Sequence, residues 1–210
     1  MAARTTPSTM LCLIQCGETD WDREGRILGA ADLPLSAPGR ALIADACAKQ
    51  LPHRLVMVYH GGDEAAAETA AVAARVTGAR TRAESDLRDP GLGVLEGLSR
   101  KDFEDRFYSR FRQWNEDPLS LTPPEGEAVL EARARILNAI GRIARRNRGG
   151  EIGLVLHGFG LALVRAWLAG VGSQSVWSMI ADRPLIERYP LHDSVVTQML
   201  EAATLEPAGS

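Results

Sequence analysis

The stretch LCLIQCGETDWDREGRILGAADLPLS, Leu11 to Ser36, decides the reading of this chain. It opens as an apolar run, Leu11–Ile14, and turns at Gln15-Cys16 into a polar loop punctuated by Gly17, Gly25, Gly29 and Pro34. A short apolar run bounded by turn residues is the pattern of a buried strand, expected here over Met10–Gln15. Its loop carries Glu18, Asp20, Asp22 and Glu24, with Arg23 and Arg26 as the only bases.

The same pattern recurs along the chain. RLVMVYH (Arg54–His60) and EIGLVLH (Glu151–His157) read as two further buried strands, each ending in histidine. TRAESDL (Thr81–Leu87) and SVVTQML (Ser194–Leu200) read as a third and a last strand. Helical spacing of apolar residues marks Gly39–Leu51, Asp63–Gly78, Ser99–Trp114, Gly126–Arg148 and Phe159–Ala169. Asp63 or Gly62 is placed to cap the second of these, and Gly78 to end it. Strands alternate with helices, and several strands are uninterrupted apolar runs. The expected fold is therefore α/β, a mainly parallel central sheet with helices on both faces and a small helical insertion. In such sheets sites lie beyond the carboxyl ends of the strands; here those ends are Gln15-Cys16, His60 and His157.

The 210 residues suffice for one domain of ordinary size, expected over 9–203, with tails at 1–8 and 204–210 and a cap region at 99–125. A net charge of −3 gives no footprint for nucleic acid. No apolar run approaches the roughly 18 residues of a membrane span, and no secretory leader is expected at Met1–Met10. Cys12 and Cys16 on one strand would sit about 13 Å apart, at about 3.3 Å per residue, beyond disulfide reach. Three cysteines without a framework fit a reducing compartment, so a cytoplasmic location is expected.

Several segments, in order, resemble the histidine phosphatase superfamily, the phosphoglycerate mutase-like proteins. CGETDWDREGRILGAADLPLSAPGRALI is similar to its leading motif, Arg-His-Gly-Glu-Thr followed by Trp-Asn, Gly-Arg and Asp-x-Pro-Leu. LRDPGLGVLEG (Leu87–Gly97) resembles the segment with the acidic proton donor. PPEGEA (Pro123–Ala128) resembles the entry to the long helix, and VLHGFGLALVRAWLAG (Val155–Gly170) the element bearing the second histidine.

The resemblance implies a phosphohistidine chemistry: one His attacks phosphorus, two arginines and a second His hold the oxygens, and an acid protonates the leaving group. Position by position, it puts Cys16 at the nucleophile, Gln15 at the first arginine and Ala65 at the second. His157 falls at the second histidine and Asp89 at the proton donor. Asp22 replaces Asn, while Thr19, Arg26 and Glu127 are retained. The catalytic positions are thus Cys16, His157 and Asp89; the substrate-binding positions are Gln15, Thr19, Asp22, Arg26 and Ala65. Asp63 and Glu64 add acid where a cation-rich helix start would be. The expected function is a family protein that is catalytically degenerate, a pseudo-phosphatase with a binding or regulatory role. Two alternatives stand beside it: a hydrolase with altered chemistry using Cys16 and His157, and weak residual phosphomonoester hydrolysis. No metal and no cofactor is called for. A small-molecule or phosphorylated ligand, a protein partner and a second copy of the chain stay open as partners; nucleic acid and membrane are not expected.

Overall fold

The structure is a computed structural model that describes residues 9–52, 54–180 and 184–202. Both expected tails lie outside the described residues. The elements run β1 (Thr9–Gln15), α1 (Asp20–Arg23), α2 (Ala37–Gln50), β2 (Met57–His60), α3 (Glu64–Thr77) and β3 (Arg80–Ala83). They continue with α4 (Arg100–Arg106), α5 (Tyr108–Glu116), α6 (Val129–Arg146), β4 (Glu151–Leu156), α7 (Gly158–Ala169), β5 (Ile186–Leu191) and α8 (Asp193–Glu201).

The sheet has the order β3-β2-β4-β1-β5. β1, β2, β3 and β4 are parallel, and β5 runs antiparallel against β1. Side chains on β1 alternate faces, as the period of two requires. Leu11 and Leu13 enter the apolar cluster built with α6, α7 and α8. Cys12, Ile14 and Cys16 enter the opposite cluster, built with α2 and α3. The fold class is therefore the one expected, α/β with helices on both faces. A third cluster joins the segment after β3 to α7 through Phe103, Phe111, Trp114 and Phe159.

Four expectations are corrected. Ser194–Leu200 is not a strand: it lies in α8. Its β-branched residues Val195, Val196 and Thr197 favour a strand locally, but Val196 and Met199, one helical turn apart, bury against α6. Gly141 of α6 permits this closeness, because a Cβ there would lie 2.9 Å from Leu200 Cγ. The last strand is instead IERYPL, where charged residues and Pro190 break the apolar run. Proline is tolerated there because β5 is an edge strand. The third strand is shorter than expected, ending at Ala83 before a 3₁₀ turn at Ser85–Leu87. The helix expected over Ser99–Trp114 is broken at Phe107 (φ −136°, ψ 47°) into α4 and α5. The break folds Phe103 back on Phe111, ring centroids 5.4 Å apart and edge to face. The long helix begins at Val129 rather than Gly126.

Two contacts fix the loop after β1. Ser36 caps α2, and its amide and hydroxyl both donate to the Glu18 carbonyl at 2.9 and 3.0 Å. Gly39, in the first turn of α2, lies against the same peptide: a Cβ there would be 2.2 Å from Glu18 O. Backbone cannot yield as a flexible side chain would. Gly39→Ala is expected to cost about 2 kcal/mol and to lower Tm by about 4–8 °C. Calorimetry checks this; an unchanged Tm would mean the loop moves aside freely.

Candidate active site

The sheet register builds the site. In the parallel pair of β1 and β4, Gln15 lies opposite Leu156. One residue further, Cys16 and His157 leave neighbouring strands side by side, about 4.8 Å between strand axes. β2 flanks β4 on its other side and feeds α3 through a turn at Gly61-Gly62. This turn brings Asp63 under the end of β4.

Asp63 makes the central contact. It is the N-cap of α3, accepting from the Ala66 amide at 2.9 Å. The same Oδ1 lies 2.8 Å from His157 Nε2. Both side chains are buried, 8% exposed for His157 and 6% for Asp63. Burial alone pulls the imidazole pKa down, but the negative charge of Cys16, the Asp63 hydrogen bond, a hydrogen bond with Cys16 and the charge of Asp89 together hold it well above its ordinary value. For Asp63, burial raises the pKa, and the His157 contact with the backbone donors outweighs it, so the carboxyl stays below its ordinary value. The pair is an imidazolium–carboxylate pair.

Cys16 is 5% exposed. Its Sγ lies 3.6 Å from Thr69 Oγ1, and the same oxygen accepts from the Gly17 amide at 3.1 Å. Asp89 is held from two sides. Its Oδ1 accepts from the Gly160 amide at 2.7 Å, a close approach that a side chain on residue 160 would block. Its loop is anchored by Arg135, which donates to the carbonyls of Asp86 and Arg88 and pairs with Glu127 at 2.6 Å. Burial pushes Asp89 up to about 6, against the lowering effect of His157 and Gly160.

These groups face a cleft of about 240 Å³. Gln15, Cys16, Asp22, Asp89 and His157 line it, so the structure brings five of the eight expected positions together. Leu28, Leu92, Trp114, Phe159 and Ile180 supply apolar wall. The other three expected positions stand elsewhere. Thr19 is fully buried as the N-cap of α1 and exchanges hydrogen bonds with Asp22. Arg26 is half-exposed, paired with Glu24 at 2.6 Å and donating to the Gly97 carbonyl. Ala65 is fully buried in the apolar cluster of Cys16 and Ile14. Among the described residues, no Arg or Lys lines the cleft, whereas Glu18, Asp22 and Asp89 do.

Sequence reasoning missed Asp63 as the partner of His157, and Thr69 as the partner of Cys16. It found Asp63 as a helix cap and as added acid at the start of that helix, not as the partner of a histidine. It also missed Trp114 and Phe159 as cleft walls, since their ring contact (centroids 4.7 Å apart) joins α5 to α7.

Residues 11–188 match the Histidine phosphatase superfamily (branch 1), and the chain belongs to that family. A probable phosphoglycerate mutase, GpmB of Escherichia fergusonii, is 25% identical over 159 residues, covering 76% of this chain and 74% of the relative. Among solved structures, YhfR of Bacillus stearothermophilus superposes with a TM-score of 0.75 at 28% identity, over 81% of this chain and 84% of that one. A mycobacterial glucosyl-3-phosphoglycerate phosphatase superposes with a TM-score of 0.69 at 25% identity, over 80% and 83%. No described helix is long and apolar enough to cross a membrane.

The burial of Asp89 has a pH signature. A carboxyl whose pKa is raised in the fold binds its proton more tightly there than in the unfolded chain. Its contribution to stability is full below about 4 and is lost as pH rises through about 6. Asp89→Asn keeps the acceptor for Gly160 and removes the charge. Relative to the variant, the wild type is expected to lose up to about 3 kcal/mol between pH 4 and pH 8. Parallel denaturation profiles for the two proteins across that range would refute the assignment.

Proposed function

We propose that this protein is a member of its family that has given up phosphoryl transfer, and that its cleft takes an uncharged or cationic small molecule. The observation that carries this is the charge of the cleft. Its lining offers one imidazolium, already neutralised by Asp63, and three carboxyl groups. Two unit charges 4 Å apart interact by about 4 kcal/mol at an effective dielectric of 20. A phosphate dianion would meet that repulsion from several sides with no guanidinium in the cleft lining to offset it; Arg88 stands in the adjoining space with Asp63, Asp89 and His157. The resemblance assigns arginines to positions 15 and 65; glutamine and a buried alanine stand there. Removing one preorganised donor from a developing oxyanion costs about 10²–10³ in rate. The names of the relatives, a mutase and a phosphatase, support the family and its fold; they do not supply this chain with a phosphate site.

The expected result is no turnover of 4-nitrophenyl phosphate and no calorimetric heat with vanadate. The variant Gln15→Arg/Cys16→His/Asp63→Leu/Ala65→Arg, which rebuilds the cations and frees His157, is expected to bind vanadate and gain turnover. Wild-type hydrolysis of the phosphate ester that disappears in His157→Ala would sink this reading.

A further inference from the structure

We propose that Cys16, His157 and Asp63 form a nucleophilic relay that accepts an acyl group from an uncharged ester or thioester. The proposal rests on the reading above, that the cleft repels phosphate, and adds a chemistry for the same groups. Three observations carry it. The β1–β4 register sets Cys16 beside His157, and both line the cleft. Asp63 holds Nε2 of the imidazole at 2.8 Å, which fixes the ring for proton transfer. Thr69, already accepting from Gly17, has its own proton free to donate to Sγ.

The cleft also supplies a place for a developing oxyanion. Gly158 and Phe159 open α7 and line the cleft, and neither amide is hydrogen-bonded among the described residues. A Cβ at Gly158 would meet nothing within 4 Å, so approach to that amide is open. Helix N-terminal amides favour partial negative charge on a carbonyl oxygen. The acids that exclude a dianion leave an uncharged acyl group free to enter, and Leu28, Leu92 and Trp114 offer it an apolar wall.

The step balances without a co-reactant beyond water. With the Cys16 proton on His157, Sγ attacks the carbonyl carbon; the C–S bond forms and the carbonyl electron pair moves to oxygen. That pair returns as the bond to the alkoxide or thiolate leaving group breaks, and the imidazolium gives the leaving group its proton. Water then attacks the thioester, losing its proton to the neutral imidazole. The C–S bond breaks, releasing the acid and returning Sγ and the imidazole to the state from which the attack began. Asp63 acts as a positioning residue throughout.

The test uses the full chain with 4-nitrophenyl acetate, and 4-nitrophenyl phosphate in a parallel arm. Stopped-flow absorbance and peptide mass mapping are expected to give a burst of about one equivalent and an acetyl group on Cys16. Cys16→Ser loses both, while Cys47→Ser, altered at a buried site outside the cleft, keeps both. Asp63→Asn slows acylation by about 10²-fold and slows iodoacetamide alkylation of Cys16 at pH 7, which a merely structural aspartate would not do. His157→Gln gives the same alkylation readout if Asp63→Asn does not fold. A folded wild type with no acetyl on Cys16, or equal alkylation in wild type and His157→Gln, overturns the relay. Turnover of the phosphate ester overturns the reading of the cleft instead; silence with both probes overturns the relay and leaves that reading standing.

Discussion

The hydrogen bond between Asp63 and His157 is the constraint on which the site depends. It ties the start of α3 to the end of β4, and so couples two helix–strand units that are 94 residues apart in sequence. Asp63 serves it twice, since the same oxygen caps α3. A missing cap costs about 1 kcal/mol, but an uncompensated buried charge costs about 3–5 kcal/mol. The ion-pair role therefore dominates. It also sets the ring's orientation and charge, and thus what Cys16 and any ligand encounter.

The helices of the neighbouring units are placed around that contact by small residues. Ala65, Ala66, Ala70 and Ala73 let α3 lie close on the sheet, with Cys16 seated in the same apolar cluster. On the other side, Gly160 lets the Asp89 carboxylate reach the first turn of α7. Asp89 takes up its proton at about 6, above the ordinary carboxyl range, because its desolvation outweighs the attraction of the His157 charge. Two carboxyl groups thus flank one imidazole and have opposite behaviour: Asp63 keeps its charge through direct contact, while Asp89 resists ionising. Environments that drive like groups apart divide the roles between them.

The sequence made part of this legible. β1, β4 and α3 were readable because each signal is local: apolar runs, a cap and a C-terminal Gly78 that adopts φ +75°. Cys16, His157 and Asp89 were placed in the cleft by motif order, which reports the fold's shared strand ends. Where tertiary contacts overruled local propensity, the reading failed. Val195–Thr197 favour a strand, yet Val196 and Met199 bury against α6 from one face of a helix. IERYPL carries too much charge to read as a strand, yet β1 needed an edge partner. The Asp63–His157 contact had no local signal at all; an aspartate before a helix reads as a cap, and here it is a cap as well.

On the proposed reading of the cleft, the residues at positions 16, 63, 65 and 157 bear on one another. Ala65, two residues from Asp63, is fully buried in the apolar cluster. The aspartate is satisfied by the imidazole and by backbone amides. The imidazole in turn becomes a fixed partner for the residue next to it on β1. A second histidine there would bring two imidazole rings together, whereas Cys16 adds no cation. Fold membership alone does not define the chemistry of this cleft.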